Sequence, residues 1–149
     1  MNYLISKVTV DELMTREVIT IIEDTPLEET ARIMADKKIG GLSVVRDNKG
    51  VGIITETDLF KIFLEMLGAT EPGVRLAVLV PDVPEALSQL SKVIYDIGGH
   101  IVEMGTFLGE SSENREVTMK MYGVDGQSLR DAIEPFIEQI VNIRESTLG

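Results

Sequence analysis

Apolar positions along this chain change rhythm several times, and each rhythm predicts an element. "VITI" (Val18 to Ile21) is a short β-branched run that reads as a strand. In "TPLEETARIMADKK", which follows, Leu27, Ala31 and Met34 recur at helical spacing, so one face of that helix is apolar. Thr25 reads as its N-cap, Pro26 as its first helical residue and Glu28 as the closing member of a capping box. "LSVV" (Leu42 to Val45) and "VGIIT" (Val51 to Thr55) flank "RDNKG", which predicts a hairpin. The helix after Thr55 carries Leu59, Phe60, Ile62, Phe63, Leu64, Met66 and Leu67 around most of its circumference. A helix that apolar is buried on more than one side, and so small a region offers a single core, so it calls for a partner surface.

A different succession follows. "VRLAVLV" (Val74 to Val80) reads as a strand, and "PEALSQLSKVIYDIGG" as a helix with Leu87, Leu90, Ile94 and Ile97 on one face and Gly98 and Gly99 at its end. "HIVEMGTFL" and "NREVTMKMY" read as strands around the polar turn "GESSE". In the second of them Val117, Met119 and Met121 alternate with Glu116, Thr118 and Lys120. Leu129, Ile133, Phe136 and Ile137 share a helical face that Pro135 either kinks or shortens, and "IVNIR" closes as a strand. The order βαββαβ is that of the ferredoxin-like split motif, with helices on one sheet face and the other face free to pair. "GATEPG" (Gly68 to Gly73) interrupts the periodicity and divides the chain into two small domains. The expected fold class is therefore α+β.

Composition narrows the function classes. Fourteen Lys and Arg stand against 25 Asp and Glu, a net charge of −11, so phosphate-backbone contacts would work against the protein's own field and no nucleic-acid partner is expected. The chain has no Cys, which excludes disulfides and thiolate metal sites, and a single His. Neither a Cys–His pair nor a multi-His metal site can form within one chain, and no metal site is expected. "GESSE" lacks the last Gly of a nucleophile elbow, and no Gly-rich loop with Lys and Ser or Thr is present. Paired acids such as Glu28–Glu29 read as solvated faces and helix N-termini. Catalysis by this chain is not expected. No uninterrupted apolar segment is long enough for a bilayer and no charged-then-apolar leader is read, so the expectation is a soluble, cytoplasmic protein without a membrane partner.

The stretch "GIITETD" (Gly52 to Asp58) carries the most specific chemistry. Thr55 and Asp58 read as a capping box, the hydroxyl accepting from the Asp58 N–H and the carboxylate reaching back to the Thr55 N–H. They also read as a ligand site. A helix N-terminus offers unpaired N–H groups and a positive dipole end to an anion, and a carboxylate can accept two hydrogen bonds from a diol.

Residues 8–67, from "VDELMTREVITIIEDTPLEETARIMADKKIGGLSVV" into "GIITETDLFK", resemble a CBS unit (β-α-β-β-α), and residues 74–145 resemble an ACT domain. The implied layout is a CBS unit with an N-terminal linker at 1–68, a linker at 69–73 and a ferredoxin-like ACT domain at 74–149. This succession most resembles the C-terminal part of the acetoin-utilisation regulatory protein family, in which another CBS unit precedes the segment where this chain begins. The chain is then an excerpt of a longer protein or a one-unit variant.

CBS units usually pair and bind adenosine nucleotides in their clefts. By that resemblance Thr55 lies on the phosphate side and Asp58 on the ribose hydroxyls. Val18, Ile19, Thr20, Lys38, Ile39, Gly40, Gly41 and Leu42 would flank the adenine, and Arg16, Lys37 and Lys38 are phosphate contacts or plain solvated charges. The ligand would be AMP, ADP, ATP or another adenosyl compound, with no catalytic cofactor. ACT domains often bind amino acids at a dimer interface. The resemblance points to Asp82, Val83, Glu85, His100 and Ile101. Glu85 replaces the usual Gly, adding bulk and a like charge where a ligand carboxylate would sit. His100, in a place where Asn is common, is a ligand contact, a pH sensor or simply a partly exposed polar residue. The expected function is a non-enzymatic regulator, a homodimer through CBS and ACT faces that acts on an unknown protein. An amino-acid-responsive ACT regulator and a ligand-free oligomerisation scaffold are the alternatives.

Overall fold

The computed structural model describes residues 18–147. Among them are two sheets, four α-helices and a short 3-10 helix, a mixed α+β architecture. The chain divides into two compact units between Lys61 and Ile62.

The first unit is built on a three-stranded sheet ordered β1-β2-β3. Strand β1 (Thr20–Ile22) leads to helix α1 (Leu27–Lys37), then to β2 (Gly41–Arg46) parallel to β1 and β3 (Lys49–Thr55) antiparallel to β2. Asp47 and Asn48 make the hairpin turn with φ of 50° and 62°, a left-handed pair that short polar side chains tolerate and that matches strand twist. Ile21, Met34, Leu42 and Leu59 form the buried centre, with Ala31, Val44 and Ile54 packed around it. Leu59 comes from α2 (Glu56–Met66), the helix inside which the division of the chain falls.

The start of α1 differs from the sequence reading. The Thr25 hydroxyl accepts from the Ile22 N–H at 3.2 Å, and the Thr25 N–H donates to the Ile22 carbonyl at 3.0 Å. The capping residue is Pro26, extended at ψ 146°, and no side chain caps the helix. A tight turn directly after β1 takes the hydroxyl backward, so the box with Glu28 does not form.

The second unit runs β4 (Gly73–Pro81), α3 (Ala86–Asp96), β5 (His100–Leu108), β6 (Asn114–Tyr122), α4 (Gly126–Ile133), the 3-10 helix Glu134–Phe136 and β7 (Gln139–Ser146). The sheet order is β5-β6-β4-β7, antiparallel throughout, which is a split βαβ arrangement. One sheet face and both helices bury Leu76, Val78, Val80, Leu90, Ile94, Val117, Met119, Met121, Leu129 and Ile133. Of the two outcomes open for Pro135, it shortens α4, which gives way to the 3-10 helix. Asp125 caps α4 by accepting from the Ser128 N–H at 2.9 Å.

The opposite sheet face is less bare than strand alternation predicts. Ala77, Leu79, Thr118 and Lys120 all point away from the helices and all are buried. Part of the reason is the turn after α2: the Lys120 Nζ donates to the Gly68 carbonyl at 2.8 Å. Gly68 is itself buried with φ of 65°, and a Cβ there would lie 2.6 Å from the Glu103 Cγ, so only glycine fits.

Candidate functional site

Strand alternation in the first unit sends Ile21, Leu42, Val44 and Ile54 into the core and leaves the intervening residues on the outer face. Thr20 pairs with Ser43 across β1 and β2, while Ser43 pairs with Ile53 and Gly41 with Thr55 across β2 and β3. Here lies an open cleft of about 560 Å³ lined by Val18, Ile19, Lys37, Ile39, Gly41, Ser43 and Ile53. Ile53, 67% exposed, is an apolar wall of it. Gly41 keeps the floor open: a Cβ there would sit 3.3 Å from the Ile54 carbonyl oxygen and 3.7 Å from the Ile53 side chain.

At the end of β3 the capping box is closed. The Thr55 N–H and the Thr55 hydroxyl each donate to Asp58 Oδ2 at 2.8 Å, and the Asp58 N–H donates to Thr55 Oγ1 at 3.3 Å. The Thr55 N–H, followed by its hydroxyl, holds the Asp58 carboxyl below its ordinary pKa, so it is ionised at neutral pH. Both bonds fall on Oδ2, leaving Oδ1 free of a protein donor among the described residues. The Glu56 N–H donates to the Gly40 carbonyl at 3.0 Å, and its carboxylate lies 3.8 Å from where a Gly40 Cβ would be. Chemically the arrangement offers an apolar slot, a carboxylate oxygen able to accept from hydroxyls, and a helix N-terminus beside it.

The residues singled out from the sequence fall in different places. Val18, Ile19, Lys37, Ile39 and Gly41 line the cleft. Thr20 shares its face through Ser43, and Thr55 sits one strand away from Gly41. Lys38 is the left-handed C-cap of α1, with φ of 54°. Gly40 lies between α1 and β2, carbonyl turned to Glu56. Leu42 is 1% exposed, its side chain in the core. Arg16 lies outside the described residues. Ser43, Ile53 and Glu56 were not singled out. Stepping two residues from Gly41 and back two from Thr55 yields Ser43 and Ile53, so period-two alternation carried that signal.

In the second unit, a small cleft of about 90 Å³ at the end of β4 is lined by Asp82, Val83 and Pro84 together with Leu87, Thr106 and Arg115. Glu85 is the N-cap position of α3 and makes no side-chain cap bond. His100 and Ile101 begin β5 at the other end of the sheet. His100 pairs with Tyr122 and Ile101 with Met121, which is opposite Val74, whereas Pro81 is opposite Asn114. Seven strand steps from Val74 to Pro81 span about 23 Å. Within one chain, Asp82, Val83 and Glu85 are therefore not brought together with His100 and Ile101. The His100 ring instead stacks on Tyr122 with centroids 4.5 Å apart.

Comparison with known proteins matches residues 10–65 to the CBS domain. Inosine-5'-monophosphate dehydrogenase of Thermoplasma acidophilum is 33% identical over 105 residues, 64% of this chain and 21% of that protein. L-aspartate semialdehyde sulfurtransferase of Methanocaldococcus jannaschii is 42% identical over 59 residues, 39% of this chain and 12% of that enzyme. An uncharacterized protein of the same archaeon is 34% identical over 93 residues, 61% of this chain and 50% of that protein. The chain thus spans half or less of the length of these curated relatives. Among the described residues no helix is long and apolar enough to cross a membrane. The cleft, the Gly40–Gly41 turn and the Thr55–Asp58 box all fall within the matched segment, and the chain carries a CBS domain at residues 10–65.

Proposed function

We propose that this chain is a non-enzymatic regulatory protein whose CBS domain binds an adenosine nucleotide. The observation that carries this reading is the closed Thr55–Asp58 box on the strand next to the Gly41 floor of the cleft, with Asp58 Oδ1 left to accept from a ribose. The apolar lining from Val18, Ile19, Ile39 and Ile53 suits a flat base, and Lys37 supplies a positive charge for a phosphate. Val51, Ile53 and Phe60 are exposed apolar residues of this unit, which supports a second CBS domain covering that side, from another copy of the chain or from a longer protein. The split βαβ topology of the second unit supports an ACT-like role in holding two copies together. Ligand binding changes their arrangement only by its differential affinity for two states.

Isothermal titration of the chain with AMP, ADP and ATP tests the reading. Saturable binding is expected, and Asp58→Ala, once circular dichroism shows it folded, is expected to lose it. Silence across the panel at high protein concentration sinks the reading that this chain, paired with its own copy, binds the nucleotide.

A further inference from the structure

The second unit contains a cavity of about 270 Å³ between the sheet face opposite its helices and the C-terminal turns of α2. Its floor follows from strand register. Gly105 and Thr118 lie side by side across β5 and β6, and Gly105 carries no side chain, which leaves a trough. Leu64 borders it from α2, Leu67 from the turn after it and Phe107 from β5.

The neighbouring row of the sheet is Glu103, Lys120, Arg75 and Arg144, three cations to one acid. In a chain of net charge −11 that is a local reversal of sign. Lys120 is only 6% exposed and lines the cavity. Its ammonium has three donors; among the described residues it makes one hydrogen bond, to the Gly68 carbonyl, and no carboxylate lies within ion-pair distance of it. A buried cation without a counter-charge is costly, and an anion placed in the trough would remove that cost through charge-assisted bonds. The apolar border calls for a hydrocarbon tail on the anion, and a cavity just below the size of drug-sized pockets calls for a small one.

We propose that this cavity binds a short aliphatic carboxylate, with the carboxylate on Lys120, Arg75 at the entrance and the tail against Leu64, Leu67 and Phe107. Glu103, whose stem packs on Gly68, is placed to receive an α-ammonium if the ligand is an amino acid. The site shares no residue with the nucleotide cleft, so either reading can fail while the other stands.

The test is titration of the full chain with 4-methylpentanoate and with L-leucine, followed by calorimetry and by amide shifts at Gly68 and Gly105. At least one is expected to saturate. Lys120→Met is expected to weaken it at least tenfold while leaving the melting temperature unchanged or higher, because an apolar side chain of similar length can replace a buried charge without loss of stability. Leu67→Glu, at a half-exposed position that tolerates the change, sets a like charge beside the carboxylate and should weaken binding as much. Tighter binding of leucine, lost in Glu103→Gln, supports the amino-acid form, and equal binding of both supports the plain acid. No saturation by either ligand at millimolar concentration, or binding that survives both Lys120→Met and Leu67→Glu, overturns the proposal.

Discussion

Asp58 in the first unit and Asp125 in the second hold helix starts with nearly identical chemistry. Asp58 accepts from the N–H and hydroxyl of Thr55, both at 2.8 Å; Asp125 accepts from the N–H of Ser128 at 2.9 Å and its hydroxyl at 2.8 Å. Both carboxyls are held below their ordinary pKa, in each case first by the backbone N–H and then by the hydroxyl. The difference lies in the surroundings. Thr55 pairs across the sheet with Gly41, the floor of an open apolar cleft, whereas Asp125 precedes a helix whose apolar face is consumed by Leu129 and Ile133 in the core. The spread of acceptor bonds differs as well: Asp58 takes both on Oδ2, and Asp125 takes one on each oxygen. A capped carboxylate is thus a structural device wherever it occurs, and the ligand role proposed for Asp58 rests on what Asp125 lacks, a carboxylate oxygen without a protein donor among the described residues and a cleft beside its strand partner.

Filling the cleft is the strongest way to break this comparison. Gly41→Leu puts a side chain on the cleft floor, and nucleotide binding is expected to vanish in calorimetry while the second unit's amide spectrum stays unchanged. If binding persists, the cleft beside Thr55 is not where the base lies.

Exchanging the two aspartates sharpens it next. Asp58→Ala is expected to weaken nucleotide binding at least tenfold and Asp125→Ala to leave it unchanged, although each removes a cap and lowers the melting temperature of the protein. Equal losses of affinity would mean that both act through stability alone.

Much of this site was legible in the sequence because it is local. The Thr55–Asp58 box joins residues three apart, the hairpin turn is two residues, and Pro135 ends its helix through its own ring, so spacing and residue type carry the outcome. Strands β5 and β6 coincide with "HIVEMGTFL" and "NREVTMKMY" for the same reason. Thr25 was misread because two local partners competed for one hydroxyl, and the turn back to Ile22 won. Lys120 was beyond reach: alternation states which residues share a face, but its burial depends on a bond to Gly68, 52 residues away. The cleft was half legible, since the glycines and Thr55 were evident and alternation puts Ser43 on the face of Gly41 and Ile53 on that of Thr55, while their pairing across β2 and β3 emerges only with the strand register.

The smallest expected effect is on pH dependence, and it separates the two carboxylates most cleanly. A carboxyl whose folded-state pKa is depressed contributes stability that is fully present above the unfolded-state value and is lost as pH falls through the folded-state value. For Asp58 and Asp125 alike, the thermal midpoint is expected to fall on acidification below the ordinary carboxylate range. Asp58→Asn and Asp125→Asn should each make that fall shallower, with little effect at neutral pH and above on its slope. Ligand binding should part them. With adenosine as the probe, whose N1 takes up a proton in the same acid range, some decline in affinity on acidification is common to every variant; Asp58 adds to it as it takes up its own proton, because a protonated oxygen no longer accepts as an anion does. The decline should therefore be shallower in Asp58→Asn than in the parent and unchanged in Asp125→Asn. Equal declines in the parent and both variants would mean that another group faces the ribose, with Glu56, whose carboxylate lies beside Gly40, the first to examine.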